Sequence, residues 1–241
     1  MQETNFIKEI NREIFGEITR SGKLKNMAGI VGTVKELNAV TDLCGLPFEG
    51  YLGKVETVRP SGARDEVNIA FERDIPYNRY GIEEFDVIQE FAPGSPVMLT
   101  GKIQTLKDYG TGKAFVYILA DFIIKSPNTP LQNNIAIIGE IVYKPKYRET
   151  PRGRHITDIF VKVQKELAPG SCYIPCICWE DQADTVAGWK EGDRVSLLAR
   201  YQSREYMKTV RNADGTMVRE WRKAYELSVQ MIERTGGSEN V

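Results

Sequence analysis

From about Gly29 onward, apolar residues recur at every second position in short runs, and Gly, Pro, Asn and Asp cut the runs apart. Alternation with a period of two marks a strand with one buried face, and the cutting residues are the ones turns require. The pattern predicts strands over Tyr51–Val58, Glu66–Glu72, Pro96–Gln104 and Phe115–Ile124. After Ser126-Pro-Asn-Thr-Pro130 it restarts, predicting Ile135–Tyr143, Thr157–Gln164, Cys172–Trp179, Arg194–Ser203 and Lys223–Glu233. The start of the chain differs. Phe6, Ile7, Ile10 and Ile14 recur at three- and four-residue spacing, so Asn5 to Phe15 reads as a short amphipathic helix. Two further helix-compatible stretches, Gly81–Phe91 and Glu180–Trp189, precede the penultimate strand of each series.

The two series form a weak internal repeat. Gly53 through Arg64, then Val67–Phe71, resembles Gly139 through Arg154, then Thr157–Val161; Gly94–Thr105 resembles Gly192–Ser203. Several strands, a helix and more strands, all within about 100 residues, suit a small Greek-key barrel of the OB type. The expectation is a mainly all-β chain of two tandem five-stranded OB-fold barrels with a short N-terminal helix. Residues 1–45 are read as the helix and lead-in, 46–127 as a divergent OB-like domain, 133–235 as the second OB domain and 236–241 as a flexible tail. The Pro-rich segment 126–130 is the linker between them.

Composition narrows the class. A chain of 241 residues accommodates two domains of ordinary size. No apolar run approaches the roughly 18 residues of a membrane helix, and Met1–Ile10 lacks the basic start and apolar stretch of a secretory signal. Four cysteines, three of them within Cys172–Cys178, do not make a disulfide framework. Together these features predict a cytoplasmic protein in a reducing compartment. The formal net charge is −1, but its distribution is uneven. Residues 1–131 hold 15 Lys and Arg against 18 Asp and Glu, whereas residues 132–236 hold 17 against 14. Local clusters decide whether a polyanion binds.

One such cluster is Tyr143-Lys-Pro-Lys-Tyr-Arg-Glu-Thr-Pro-Arg-Gly-Arg154, five basic residues and one acidic, with Arg200, Arg204, Lys208 and Arg211 further on. Beside it lies Cys172-Tyr-Ile-Pro-Cys-Ile-Cys-Trp179. Strand parity puts Cys172, Ile174, Cys176 and Cys178 on one face, suited to a barrel interior, and Tyr173, Pro175, Ile177 and Trp179 on the other. Aromatic rings facing outward beside cations make a surface on which unpaired bases stack while phosphates are neutralised. Catalysis has little support. His155 is the only histidine and reads as a surface residue entering a strand, and the three clustered cysteines lie along one strand rather than on metal-binding knuckles. There is no phosphate-binding Gly-Lys-Ser/Thr loop and no dinucleotide fingerprint. The reading is of a binding protein without enzyme activity, metal or other cofactor.

Residues 133–233 resemble the bacterial single-stranded DNA-binding protein family (SSB). The matching pieces are Asn134-Ile-Ala-Ile-Ile-Gly-Glu-Ile141, Tyr147 through Arg154, Ile159-Phe-Val-Lys-Val163, Tyr173 through Ala183, Lys190-Glu-Gly-Asp-Arg-Val195, Gln202-Ser-Arg-Glu-Tyr206 and Asp214-Gly215. Their order and spacing carry the likeness. The resemblance implies base-stacking roles for Tyr173, Trp179 and Tyr206, and the basic clusters themselves point to Lys144, Lys146, Arg148, Arg152, Arg154, Arg204 and Lys208 as phosphate contacts. It implies sequence-independent binding of single-stranded DNA in replication, recombination or repair, in a homodimer presenting four barrels. A fourth family aromatic falls near Leu167 and is replaced here. The family's acidic recruiting tail is missing, since Glu239 is the one acid in Gly236–Val241, which leaves recruitment of replication or recombination proteins without its usual route. Two other readings stay open: an OB-fold accessory subunit of a replication or mobile-element complex, with the aromatics buried against protein, and an RNA binder. The first half, with Arg59, Arg64 and Tyr109 near equivalent places and acidic Glu83, Glu84 and Asp86, serves either DNA contact or oligomerisation.

Overall fold

The computed structural model describes residues 25–75, 86–108, 110, 112–150, 153–211 and 215–235. The first half contains β1 (Asn26–Leu43), β2 (Leu46–Val58), β3 (Arg64–Glu72), α1 (Val87–Glu90), β4 (Pro96–Lys107) and β5 (Ala114–Lys125). The second contains β6 (Gln132–Ile141), β7 (Lys146–Glu149), β8 (His155–Gln164), β9 (Ser171–Trp179), α2 (Asp181–Ala187), β10 (Arg194–Arg211) and β11 (Met217–Arg234).

Each half closes a five-stranded ring. β1 pairs with both β2 and β4, while β3 and β5 complete the first ring; β6 pairs with both β8 and β10, while β9 and β11 complete the second. Each ring has one parallel contact, Ile69 and Ala70 of β3 on Ile118 and Leu119 of β5, and Cys176 and Ile177 of β9 on Leu227 and Ser228 of β11. This is the Greek-key OB barrel expected from the strand pattern. The opening strand of each barrel must bend sharply to bond on both sides, which brings backbones together. A side chain at Gly32 would collide with the Glu56 carbonyl, and one at Gly139 would meet Lys162 O at 2.6 Å.

Several elements differ from the sequence expectation. Residues 26–43, expected as lead-in, are β1, the strand that opens the first barrel. Its alternation is hidden by Gly29 and Gly32, by register shifts at Val34/Glu36 and Val40/Asp42, and by an exposed, polar second half. The first barrel is therefore read from β1, ahead of residue 46. The repeat also shifts: Gly139 on β6 matches Gly32 on β1 by topology, not Gly53 on β2. The later match, Gly94–Thr105 with Gly192–Ser203, keeps its register as β4 and β10. Of the helix compatible with Gly81–Phe91, the described residues contain α1, capped by Asp86, whose carboxylate accepts from Gln89 N at 3.1 Å. The helix read over Asn5–Phe15, Tyr109 and the tail 236–241 lie outside the described residues.

The two barrels are joined by strand pairing, not by a spacer. β1 runs antiparallel to β6 from Asn26↔Ile137 to Val31↔Gln132, so the eleven strands of the described residues form one continuous sheet. Ser126–Pro130 is a tight connection, with Ser126 N donating to Pro96 O. One apolar core cluster runs through both halves, from Ile30, Ile69 and Ile118 to Ile137, Ile174 and Leu227. The polar groups trapped at the junction are matched. The Tyr201 hydroxyl donates to Val116 O at 2.7 Å and accepts from Asn68 Nδ2 at 3.2 Å, and Asn133 bonds both the N–H and the C=O of Tyr201 at 2.8 Å. Tyr201→Phe leaves the Asn68 amide one partner short in a fully buried place. It is expected to cost about 1–2 kcal/mol, read as a lowered urea midpoint with an unchanged slope.

Candidate nucleic-acid interface

β8 and β9 present one face to the barrel interior and one outward. Inside lie Ile159, Val161, Cys172, Ile174, Cys176 and Cys178. Burial pushes the thiol of Cys178 up to about 12 and that of Cys176 well above its ordinary range, so these thiols stay protonated and inert. Outside, Phe160 pairs with Pro175 and Lys162 with Tyr173. Tyr173 is 45% exposed and Phe160 39%, and Tyr143, at 57%, leans over from the β6–β7 connection. Its ring centroid lies 5.7 Å from Phe160, edge-on, and 6.5 Å from Tyr173, tilted. Three aromatic rings thus share one solvent-facing patch. Phe160 escaped the sequence reading, although the alternation of Ile159, Val161 and Val163 already points it outward.

Trp179 ends β9 and is half-buried. The Arg154 guanidinium sits 4.6 Å from its ring centroid, with Nε donating to Glu180 Oε1 at 2.6 Å. That bond holds the Glu180 carboxyl below its usual range. Ile177, expected outside with Tyr173 and Trp179, is 2% exposed. Its ladder neighbours are Asp158 of β8 and Ser228 of β11, and Ser228 is itself buried, so the outward face is covered at this point.

Most of the predicted cations gather nearby. Lys144, Lys146, Arg148 and Arg204 line, with Tyr143 and Phe160, a hollow of about 450 Å³. Arg148 donates to both Asp158 oxygens, at 2.7 and 3.1 Å, and this bond raises its pKa. Arg204 donates to Glu226 at 2.8 Å and lies 5.4 Å from the Tyr206 ring centroid. Tyr206 is half-buried, and Lys208 is exposed further along the hairpin of β10 and β11, opposite Glu220. Arg152 lies outside the described residues. A second hollow of about 460 Å³ adjoins the first through Arg204; Arg154 and Trp179 line it, together with Arg59 and Arg200, which were not among the predicted site residues. Leu167 packs onto the first barrel's smaller apolar cluster of Leu43, Phe48, Ala70, Leu106 and Tyr117. His155 is a surface residue whose Nδ1 bonds Asp184 at 3.1 Å, which raises its pKa. In the first half Arg64 is bonded to Glu56 at 2.5 Å.

Residues 132–233 match the family model described as the Single-strand binding protein family. The second barrel is a single-strand binding protein family domain. The chain is similar to the "Single-stranded DNA-binding protein" of Bacillus cereus, at 29% identity over 116 residues, covering 45% of this chain and 65% of that protein. It is likewise similar to the protein so named from Bacillus anthracis, at 30% over 114 residues, covering 44% and 63%. The likeness therefore spans under two thirds of these relatives' length. The wild-type single-stranded DNA binding protein of Thermus aquaticus superposes with a TM-score of 0.61 at 15% identity, covering 90% of this chain and 96% of that one. A deletion variant of it gives 0.59 at 16%, covering 88% and 95%. At such identity the match is one of fold, and it extends beyond the single-strand binding domain into the first barrel.

Proposed function

We propose that this chain binds single-stranded DNA without reading its sequence, and that it does so in replication, recombination or repair. The observation that carries the proposal is the exposed patch of Tyr143, Phe160 and Tyr173, with Trp179 nearby, bordered by Lys144, Lys146, Arg148, Arg154 and Arg204. Bases of any identity stack on such rings, and the cations neutralise the backbone. The relatives' names and the family match to the second barrel support the same reading. Nothing in this mechanism makes or breaks a bond; the chain acts by holding the strand unpaired, in the cytoplasm. Two such chains would present four barrels, and Lys208, Tyr206 and Arg152 would extend the contact.

A second reading is favoured by one feature: Arg148, Arg154 and Arg204 each already face a carboxylate. Paired arginines around an aromatic patch also suit a protein partner in an accessory subunit. One titration separates the two. Adding oligo-dT to the protein should quench tryptophan fluorescence. With about three phosphate contacts, affinity should fall roughly twentyfold between about 50 and 200 mM salt. Unchanged fluorescence and no gel shift at low salt would leave the protein-partner reading standing. Equal affinity for oligo-U would extend the proposal to RNA.

A further inference from the structure

The hollow that holds Trp179 is not built by the single-strand binding domain alone. Arg59 follows β2 of the first barrel, and its guanidinium donates to both oxygens of Asp65, Nε to Oδ2 at 2.6 Å and Nη2 to Oδ1 at 2.5 Å. Asp65 is fully buried and also accepts from Ser203 N at 2.9 Å. Arg200 of β10 approaches the same carboxylate from the other barrel, its Nε 3.6 Å from Oδ2. That Nε is buried and makes no hydrogen bond among the described residues, while Nη2 donates to Gln202 Oε1 at 3.1 Å. One buried carboxylate therefore answers two guanidiniums, one from each barrel. Burial, then the like charge of Arg59, disfavours the cationic form of Arg200. Across the hollow stand Arg154 and Trp179, and the carboxylates that partner Arg59, Arg154, Arg200 and Arg204 are Asp65, Glu180 and Glu226, leaving positive charge in excess.

We propose that this junction hollow seats a phosphodiester of single-stranded DNA against Arg59 and Arg200, carrying the strand from Trp179 onto the first barrel. The inference rests on the single-stranded DNA reading and adds a contact from the half outside the family match. A phosphate here supplies the second anion that the shared Asp65 cannot, and Trp179 beside it offers a ring to the adjoining base. Arg204 lines this hollow and the aromatic one alike, so the two sites lie on one path.

The test is titration of oligo-dT into the wild-type chain, Arg200→Gln and Arg200→Lys at several salt concentrations. Arg200→Gln is expected to weaken binding about fivefold at low salt and to reduce the salt slope by about 0.7, one phosphate contact on a single strand. Arg200→Lys should keep the slope. If wild type binds and Arg200→Gln changes neither affinity nor slope, or changes affinity alone, the junction site is overturned and the DNA reading stands. If wild type does not bind at all, both fall. Should Arg200→Gln fail to fold, phenylglyoxal modification of the wild-type chain decides. Oligo-dT should shield Arg59 and Arg200 but not exposed Arg73, and unshielded Arg59 and Arg200 overturn the site.

Discussion

Replacing Tyr173 and Trp179 together by alanine is expected to weaken oligo-dT binding at least about thirtyfold, since a stacked base contributes about 1–3 kcal/mol and two platforms are lost. The two rings sit at opposite ends of the outward face of β9, so one strand lying along it would meet both. The fold should tolerate the change. Tyr173 is 45% exposed, and the strand contact it makes with the first barrel, Tyr173 N to Thr105 Oγ1 at 3.2 Å, belongs to the backbone. Trp179 is half-buried, and its loss leaves Arg154 still bonded to Glu180 at 2.6 Å. Fluorescence anisotropy of a labelled oligo-dT, alongside a thermal melt, separates the two effects. An affinity within about threefold of wild type with an unchanged melt would mean that these rings are not where bases stack.

Asp65→Ala is expected to be the most damaging single change to stability described for this molecule. The carboxylate is fully buried, accepts from Arg59 and from Ser203 N, and faces the Arg200 guanidinium at 3.6 Å without a hydrogen bond. Breaking a buried ion pair by removing one partner costs about 3–5 kcal/mol, because the remaining charge keeps its desolvation without its compensation. Arg59 and Arg200 retain 22% and 24% exposure of their side chains, so water softens the loss and the low end, about 3 kcal/mol, is the expectation. Asp65→Asn should fall between, since the amide oxygen still accepts from Ser203 N while the charge is gone. Urea unfolding measures both. Because one core and one sheet run through both barrels, the loss should lower a single transition rather than split it. A midpoint shift worth under about 1 kcal/mol for Asp65→Ala would show that the two arginines are adequately solvated without it.

The second barrel was largely legible because its strands keep strict alternation where one face is buried. Cys172, Ile174, Cys176 and Cys178 point inward as their parity requires, and Tyr173 points out. Parity failed at Ile177, since alternation says which face a side chain takes but not whether neighbouring strands will cover that face. It failed more broadly at β1, where a strand that twists between two partners needs glycines and bulges that interrupt the very pattern used to find strands. The misplaced repeat followed: with β1 unread, Gly139 had no partner but Gly53. The junction hollow was invisible for a different reason. Arg59 and Arg200 lie 141 positions apart in the chain, and they meet only because the β1–β6 ladder fixes one barrel against the other.

That ladder has an evolutionary corollary. In an assembly of identical single barrels, every substitution is copied into each unit, so no unit can drift without the rest. Here two unlike barrels are locked edge to edge within one polypeptide. One can be acidic while its neighbour is basic, and the chain is so divided, with 18 acids against 15 bases before residue 132 and 17 bases against 14 acids from there to residue 236. The covalent pair is thus free to specialise its halves where a symmetric oligomer is not.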